Sequence, residues 1–561
     1  MTGGLLNLIA YGNQNIILNG NPTKSFFKSS YSKYTNFGLQ KYRIDQTGQT
    51  NISITKDTQI SFKIKRYGDL LMDTYLVINL PKIWSPIYQH TNADTGTIEY
   101  RPYEFQWIKN IGTQLIKKVE FTIGGHIIQK FSGNYLQNMV QRDFDNSKKE
   151  LFNNMIGNVK ELTDPANYEN RSNNYPNAYK RNDLSFNLIE PSIDNYQLQI
   201  PLNTWFSLLS NMSIPLICLQ YAELEINFEL NKLENLFTIK DVIYNEPYST
   251  YDEIPRIRIN SSESNAYNFN RFTQEPPTRD ISLTTLYPEN NINTDIHLIT
   301  TQCFLDNEER THFSENIQEY LVKVIYEYNF IKVNKTSKVN LDSNGLVSNW
   351  MWYFQRDDVY KRNEWSNYTN WPYENIIPNN LIKLKDSNDY LIFYNKNNIY
   401  DISKNIYITG NQAETNEQNN KKEILKNFSI IVDGKYREQE FNSNIYSKLE
   451  KYTKTKSNSK EGLYHYNFCL TTDPFKYQPT GAFNTNKFKN VQFEFNIHNN
   501  PPIDSSASNF STICDPETGV VIATTMEPTS IYTYNYNLTV FEERYNILRF
   551  EGGMAGLVYS I

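Results

Sequence analysis

The chain has 561 residues and a mass of 65.9 kDa, which exceeds one ordinary hydrophobic core and predicts roughly two to four domains. Its 55 Lys and Arg residues are outnumbered by 61 Asp and Glu residues, and the net charge of −6 gives no general basis for binding nucleic acid. Mean hydropathy is −0.62, but aromatic residues make up 14% of the chain, which argues against disorder of the chain as a whole.

The first segment, residues 1–24, is punctuated by Gly and Asn and precedes the first strong strand pattern, so we expect an extended arm. It has no basic region before its short apolar run, and Asn7 interrupts that run, so we expect no secretory signal. No stretch of the sequence approaches the roughly 18 apolar residues of a membrane-spanning helix.

Strand patterns dominate the rest of the chain. Apolar and polar residues alternate with period two at 224–230, 491–497 and 532–540, and over shorter stretches at 62–65, 121–123 and 464–468. This period places one set of side chains on a core face and the other in solvent. Half-buried antiparallel strands separated by polar turns predict sandwiches or barrels.

Helical patterns are sparse. Ser147 and Glu150 form a capping-box pattern ahead of apolar residues at 151, 152, 155 and 156, and Gly157 stands where a helix commonly ends. We expect one helix here and a second near 134–144, both inside a crossover connection between strands.

Long polar segments suggest the domain limits. Residues 157–196, 235–292, 373–425 and 498–530 lack clean periodicity, and 235–292 is rich in proline, which central strands exclude. We therefore predict an arm at 1–24, a first β domain at 25–234, a linker or insertion at 235–292, and a second β domain at 293–561 with an insertion at 373–425.

Candidate catalytic groups are few. Gly124, Gly125 and His126 are typical of a tight hairpin turn more than of an exposed catalytic imidazole. Asp357 and Asp358 could be a carboxylate pair for a metal, but their basic neighbours favour a solvated, charge-balanced loop. The segment 306–310 is expected to be a turn or a strand end.

Metal and redox chemistry also lack a motif. The cysteines Cys218, Cys303, Cys469 and Cys514 are far apart, so we expect four reduced thiols, and the six histidines show no zinc-site spacing. Phosphate-binding and nucleophile motifs are absent from the sequence. The sequence predicts no catalytic residue, no metal site, no cofactor and no enzyme.

Distinctive short sequence motifs occur one after another from residue 3 to residue 560. In the first half they include GGLLNLIAYGNQ at 3–14, LNGNP at 18–22, IGGHII at 123–128, LQIPL at 198–202 and IPLICLQY at 214–221. In the second half they include FLD at 304–306, WYFQRDD at 352–358, NEWSNYTN at 363–370, QPTG at 478–481, YNILR at 545–549 and GGMAGLVYS at 552–560. Together they resemble the major capsid proteins of nucleocytoplasmic large DNA viruses. The segments 235–292 and 373–425 look longer than in compact members of that family.

The resemblance implies an all-β fold of two consecutive eight-stranded jelly rolls with long loops and a few short helices. It implies a capsid subunit that forms pseudo-hexagonal homotrimers, which contact one another laterally in an icosahedral virion shell assembled in the host cytoplasm. Minor capsid proteins, and an internal membrane at the base of the shell, are the implied partners of the arm, and no direct contact with nucleic acid is expected. The family-signature residues that carry over are Gly3, Gly4, Asn21, Pro22, Gly124, Gly125, Trp365, Pro479, Gly481, Arg549, Gly553 and Gly556.

Two alternatives stay open. One is a carbohydrate-binding, lectin-like jelly roll that would use the aromatic residues Trp350, Trp352, Trp365 and Trp371, although the first two share one face of a strand-like run that is typical of a core. The other is a non-packaged scaffold of the same double jelly-roll fold, against which the complete carboxy-terminal signature at 548–556 argues.

Overall fold

The structure is a computed structural model. It describes residues 3–48, 51–91, 96–182, 185–240, 256–257, 266–275, 291–371, 374, 382–385, 391–394, 400–401, 406–407, 422–498, 510–514, 521–526 and 534–559.

The first half of the chain forms two facing antiparallel sheets. Their main paths run β1-β18-β4-β12 and β3-β14-β8-β9. The strands of this half are β1 Phe37–Asp45, β2 Asn51–Ser53, β3 Thr58–Ile64, β4 Leu70–Leu80, β5 Ile87–Thr91, β6 Ile98–Pro102, β7 Phe105–Trp107, β8 Ile116–Ile123, β9 His126–Phe131, β10 Tyr179–Asn182, β11 Ser185–Ile189, β12 Tyr196–Pro201, β13 Ile214–Pro215, β14 Leu224–Leu230, β15 Phe237–Lys240, β16 Arg256–Ile257, β17 Asn291–Asn293 and β18 His297–Leu305.

The second half repeats the arrangement, with main paths β19-β33-β21-β28 and β20-β30-β26-β27. Its strands are β19 Gln318–Val333, β20 Thr336–Leu341, β21 Leu346–Arg356, β22 Ile382–Lys385, β23 Leu391–Tyr394, β24 Tyr400–Asp401, β25 Ile406–Tyr407, β26 Leu425–Val432, β27 Lys435–Asn442, β28 Leu463–Asn467, β29 Phe483–Asn484, β30 Val491–Ile497, β31 Phe510–Cys514, β32 Val521–Met526, β33 Tyr536–Glu551 and β34 Met554–Leu557.

Both halves have the same topology. If the eight main-path strands of each half are ranked by chain order, both halves contain one sheet in the order 1-8-3-6 and one in the order 2-7-4-5. In each half the first and last strands are therefore neighbours, as a jelly roll requires. The predicted double jelly roll is confirmed, and the alternation predicted at 224–230 and 491–497 coincides with β14 and β30.

The eighth strand of the first roll lies later in the chain than the sequence predicted. We expected the second domain to begin at 293, but β18 pairs with β1 on one side and with β4 on the other. Alternation that resumes near residue 299 reveals a strand but not the roll to which it belongs. These pairings favour a boundary between residues 305 and 318, and they place the proline-rich segment 235–292 between the seventh and eighth strands of the first roll.

Part of that segment belongs to the first core and is not a linker. Phe237 and Phe269 are buried, and their rings stack against Phe105 and Trp107. The segment lacks a period because it contributes short pieces, β15 and one helix, to an aromatic cluster rather than a full strand to a sheet.

The helices are short. They are α1 Gly3–Ile9, α2 Ile16–Asn19, α3 Ile111–Leu115, α4 Gly133–Asp143, α5 Asn146–Met155, α6 Lys160–Thr163, α7 Trp205–Leu208, α8 Ala266–Thr273, α9 Asn307–Glu315 and α10 Glu450–Lys454. Both helices predicted between 134 and 156 are confirmed, and they connect the fifth and sixth strands of the first roll. The amino-terminal cap of α5 is Asp145, whose side chain accepts from the Lys148 amide, two residues before the predicted Ser147.

Two expectations for charged segments were wrong. Residues 306–310 are not a turn or strand end, because Asp306 caps α9 and the following residues form its first turn. Asp358 is not solvated. Its side chain is 4% exposed and lies 2.8 Å from both Arg356 and Arg362. The carboxylate can be buried because these two cations compensate its charge.

Candidate functional site at the seam between the two rolls

Helix α4 contributes side chains to the contact between the two rolls. Its first turn is capped by Ser132, whose hydroxyl accepts from the Tyr135 amide, and Gly133 allows the helix to approach the backbone at Thr113 closely. Tyr135 packs its ring edge-on against Phe541 of β33, with the centroids 5.6 Å apart. The helix thus joins the core of the first roll to a sheet of the second.

That sheet is buried on both faces, which its sequence reflects. β21 contains the continuous apolar run Trp350–Phe354, in which Trp350 and Trp352 belong to the core of the second roll. Met351 and Tyr353 point to the opposite face and belong to the cluster that contains the first core. A strand covered on both faces loses the alternation of a half-buried strand.

A compact ionic network crosses the seam. Arg142 of α4 lies 2.7 Å from Asp143 and 2.6 Å from Glu543 of β33, and all three side chains are at most 3% exposed. The same guanidinium donates to the Asn349 side chain of β21 at 2.7 Å. Two fully desolvated anions are therefore held by one cation whose donors face both of them, a geometry suited to the planar guanidinium.

Lys323 and neutral donors complete the network. Lys323 of β19 lies 3.2 Å from Glu543, which also accepts from Tyr135 and Asn349. Thr472 donates to Asp143 at 2.6 Å. Two cations thus balance two carboxylates, and the second roll supplies Lys323, Asn349, Thr472 and Glu543, whereas α4 supplies the rest.

The environment shifts the pKa values of Glu543 and Asp143 in opposite directions. Burial alone would raise the pKa of Glu543, but the charges of Arg142 and Lys323 hold it well below its ordinary value. Burial raises the pKa of Asp143, and the charge of Arg142 offsets only part of that effect. The ionised form of Glu543 is therefore stabilised more strongly than that of Asp143.

A second set of contacts joins the rolls through residues 362–370. Asn363 donates from its side chain to the backbone carbonyls of Glu234 and Phe237 in the first roll, at 2.8 and 2.9 Å. The Trp365 indole donates to the Asn235 carbonyl at 2.8 Å. The signature word NEWSNYTN thus supplies side chains that fasten the second roll to the first.

A cavity of about 100 Å³ lies beside the network, and its lining includes Gln129, Asn203, Lys323, Thr472 and Glu543. Among the described residues, no group of three or more His, Cys, Asp and Glu side chains could hold a metal ion. His465 is fully buried, and burial keeps its pKa well below the ordinary value, so the imidazole is neutral. In the described part of the chain, no helix is long and apolar enough to cross a membrane.

The signature residues do not converge on one pocket. Gly3, Gly4, Asn21 and Pro22 lie in the exposed arm, whereas Gly124 and Gly125 form the predicted hairpin turn between β8 and β9 with positive φ angles of 57° and 82°. Pro479 and Gly481 precede β29, and Gly481 approaches the Phe468 carbonyl. Arg549, Gly553 and Gly556 share the hairpin of β33 and β34, where the Gly553 carbonyl accepts from the Tyr221 amide and Arg549 pairs with Glu319. Their functional roles remain predictions.

The sequence reasoning missed the residues of the ionic network. One signal was available, because the run Glu542-Glu543-Arg544 continues directly from the alternating apolar pattern at 532–540. Three consecutive charges inside a buried strand must have partners. The partners Arg142 and Lys323 are distant in sequence, so their identity could not be inferred.

Comparison with known proteins places both halves in one family. A family model described as "Major capsid protein N-terminus" matches residues 25–268, and one described as "Large eukaryotic DNA virus major capsid protein" matches residues 309–556. The chain is 28% identical over 327 residues to "Capsid protein 1" of Acanthamoeba polyphaga mimivirus, a match that covers 58% of this chain and only 43% of that protein. It is 24% identical over 568 residues to the "Major capsid protein" of Paramecium bursaria Chlorella virus 1, with 100% of each chain covered.

Solved structures agree on the fold. The chain matches the subunit of the PBCV-1 capsid quasi-atomic model with a TM-score of 0.58 at 18% identity, covering 96% of this chain and 100% of that one. It matches the Faustovirus major capsid protein with the same TM-score of 0.58 at 12% identity, covering 94% and 93%. The collinear sequence matches, the repeated strand order and this shared fold together show that the chain belongs to the double jelly-roll major capsid proteins of large eukaryotic DNA viruses.

Proposed function

We propose that the chain forms homotrimeric, pseudo-hexagonal capsomers that contact one another laterally and tile an icosahedral virion shell. The observation that carries the proposal is the equal strand order of two rolls that are fastened together across a buried seam. A rigid pair of similar rolls contributes two of six similar positions around a threefold axis, so three copies approximate a hexagon. Such a subunit works by shape and self-association and not as an enzyme.

The mass and shape of the purified protein test this proposal. Size-exclusion chromatography with light scattering should give three times the mass of one chain, and negative-stain images should show hexagonal particles. A monomer at all concentrations would contradict it.

The arm supports a role in assembly beyond the trimer. Residues 3–36 are almost entirely exposed and lie before β1, the first strand of the roll. We place the arm at the base of the capsomer, towards minor capsid proteins or an internal membrane of virions assembled in the host cytoplasm. Removal of residues 2–24 should leave the trimer intact and impair shell assembly, and loss of the trimer would instead assign the arm to the core.

The lectin-like alternative is weakened at three of its four tryptophans. Trp350 and Trp352 are fully buried, and Trp365 is half-buried with its indole nitrogen bonded to the first roll. The scaffold alternative shares the fold, and it is distinguished by whether the protein is present in purified virions.

A further inference from the structure

The arm differs in charge from the rest of the chain. Residues 1–36, which precede β1, hold three basic residues, Lys24, Lys28 and Lys33, and no Asp or Glu. Since the whole chain has 55 basic and 61 acidic residues, the remainder carries 52 basic and 61 acidic ones. A basic arm on an acidic body predicts an acidic binding surface as its partner.

The arm also exposes large apolar side chains. Phe26 is 85% exposed and Phe27 100%, and they lie between Lys24 and Lys28. Adjacent exposed aromatic residues of this size are typical of an interaction surface. The segment Lys-Ser-Phe-Phe-Lys at 24–28 therefore combines two adjacent aromatic side chains with a lysine on either side.

A groove with complementary chemistry lies on the body. It has a volume of about 230 Å³ and a mainly polar lining, in which Phe313 and the exposed Ile317 form an apolar patch. Glu315 at the end of α9 and Glu551 at the end of β33 are exposed at its rim. The groove thus offers room for an aromatic side chain beside two carboxylates.

The groove lies close to the root of the arm. Phe37, the first residue of β1, pairs with Leu305, and α9, which lines the groove, begins only two residues later at Asn307. The segments 306–319 and 549–551 contain six carboxylates and two arginines. The arm therefore emerges beside an acidic surface.

We propose that the arm of one copy docks in this groove of a second copy, with one ring of the Phe26–Phe27 pair against Phe313 and Ile317 and with Lys24 and Lys28 against Glu315 and Glu551. The inference rests on the proposed self-assembly. A second copy is the occupant because the chain's own arm stands with these rings exposed. For residues 24–28 an anionic lipid surface fits less well, because the carboxylates at the root of the arm would repel it, whereas residues 3–23 are left to face minor capsid proteins or a membrane.

Charge reversal with mixing tests the docking in trans. The arm variant K24E/K28E and the groove variant E315K/E551K each place like charges opposite one another. Because the exchanged side chains are exposed, we expect both to fold with native thermal midpoints. Sedimentation velocity at near-physiological salt should show that trimers of each variant alone associate with one another at least about tenfold more weakly than native trimers do. The variant K435E/K489E, on the exposed β26–β27 side of the second roll, controls for net charge and should associate as the native chain does.

Mixing the arm and groove variants in equal amounts restores opposite charges in every arm–groove pair formed between the two variants, so the mixture should associate several-fold more strongly than either variant alone. Variants that assemble as well as the native chain, or a mixture without recovery, would overturn the docking. So would a groove variant that assembles normally while only the arm variant stops floating with phosphatidylserine vesicles, a result that assigns the arm to a membrane. A native chain that stays monomeric would overturn the proposed capsomer as well, so the two failures are distinguishable.

Discussion

Arg142 and Glu543 are 401 residues apart in sequence, and a contact of 2.6 Å between their side chains joins the two jelly rolls. Arg142 lies in the last turn of α4 in the first roll, and Glu543 lies in the middle of β33 in the second. Since both are buried, each depends on the other for charge compensation. This pair holds two similar rolls in one fixed relation, which a pseudo-hexagonal capsomer needs.

Replacement of Arg142 by Met should lower the free energy of unfolding by about 3–5 kcal/mol, because Asp143 and Glu543 would stay buried without their cation. Chemical denaturation followed by tryptophan fluorescence measures the loss. The matched control is Arg549→Met, which removes an exposed pair with Glu319 and should cost less than about 1 kcal/mol. Equal losses for the two variants would contradict the importance of the seam.

Replacement of Gly133 by Ala should destabilise the chain by about 3 kcal/mol, because the new Cβ would overlap the carbonyl oxygens of Thr113 and Ile116. Both are backbone atoms, so α4 would have to move away from the first roll. The control Gly556→Ala meets no atom within 4 Å and should change stability by less than about 1 kcal/mol. Thermal unfolding of both variants checks the difference, and a native midpoint for Gly133→Ala would refute the close approach.

Lys149 of α5 and Lys451 of α10 come from different rolls, and burial lowers the pKa of each to about 8. The charge of Lys149 lowers the pKa of Lys451 further. Below about pH 8 both are charged in the folded state at a cost, whereas an unfolded lysine keeps its proton until about pH 10.5. The pKa of each lysine is lower in the folded chain than in the unfolded chain. These two lysines therefore make the free energy of unfolding rise with pH between about pH 8 and about pH 10.5.

The variant Lys451→Met should therefore be more stable than the native chain by about 1 kcal/mol near neutral pH, and the difference should shrink as pH rises above about 8. Urea unfolding at about pH 7 and about pH 9.5 measures this. Lys448→Met, at an exposed position just before α10, is the matched control for removal of a lysine. A stability gain that is equal at both pH values would exclude the ionic cause.

Limited proteolysis should cut first in 235–292 or 373–425, and the fragments should stay together under native conditions. A cut in 235–292 separates β18 from the rest of the first roll in sequence, but β18 stays inserted between β1 and β4. Size-exclusion chromatography should show one peak, and denaturing electrophoresis should show two fragments. Separate soluble halves after this cut would contradict both the strand assignment and the seam.

Local patterns predicted those elements whose environment is decided by their own sequence. The alternation at 224–230 is buried on one face only, because β14 is a strand with one face on a core. The two helices between 134 and 156 were predicted in the same way, since capping residues and a helical apolar period are local properties. The buried pair Trp350 and Trp352 likewise follows from their shared face on β21.

The sequence could not assign β18 to a roll or pair Arg142 with Glu543. An alternating segment is equally suited to either roll, and the choice depends on hydrogen bonds to β1 and β4, which are more than 200 residues earlier. Asp358 looked solvated because its compensating cations become buried with it only in the folded chain. The sequence by itself determined the strands, the two-roll architecture implied by the capsid family and the basic arm. Only the tertiary structure decided how the rolls are joined, because the seam is formed by long-range contacts whose partners have no fixed spacing along the chain.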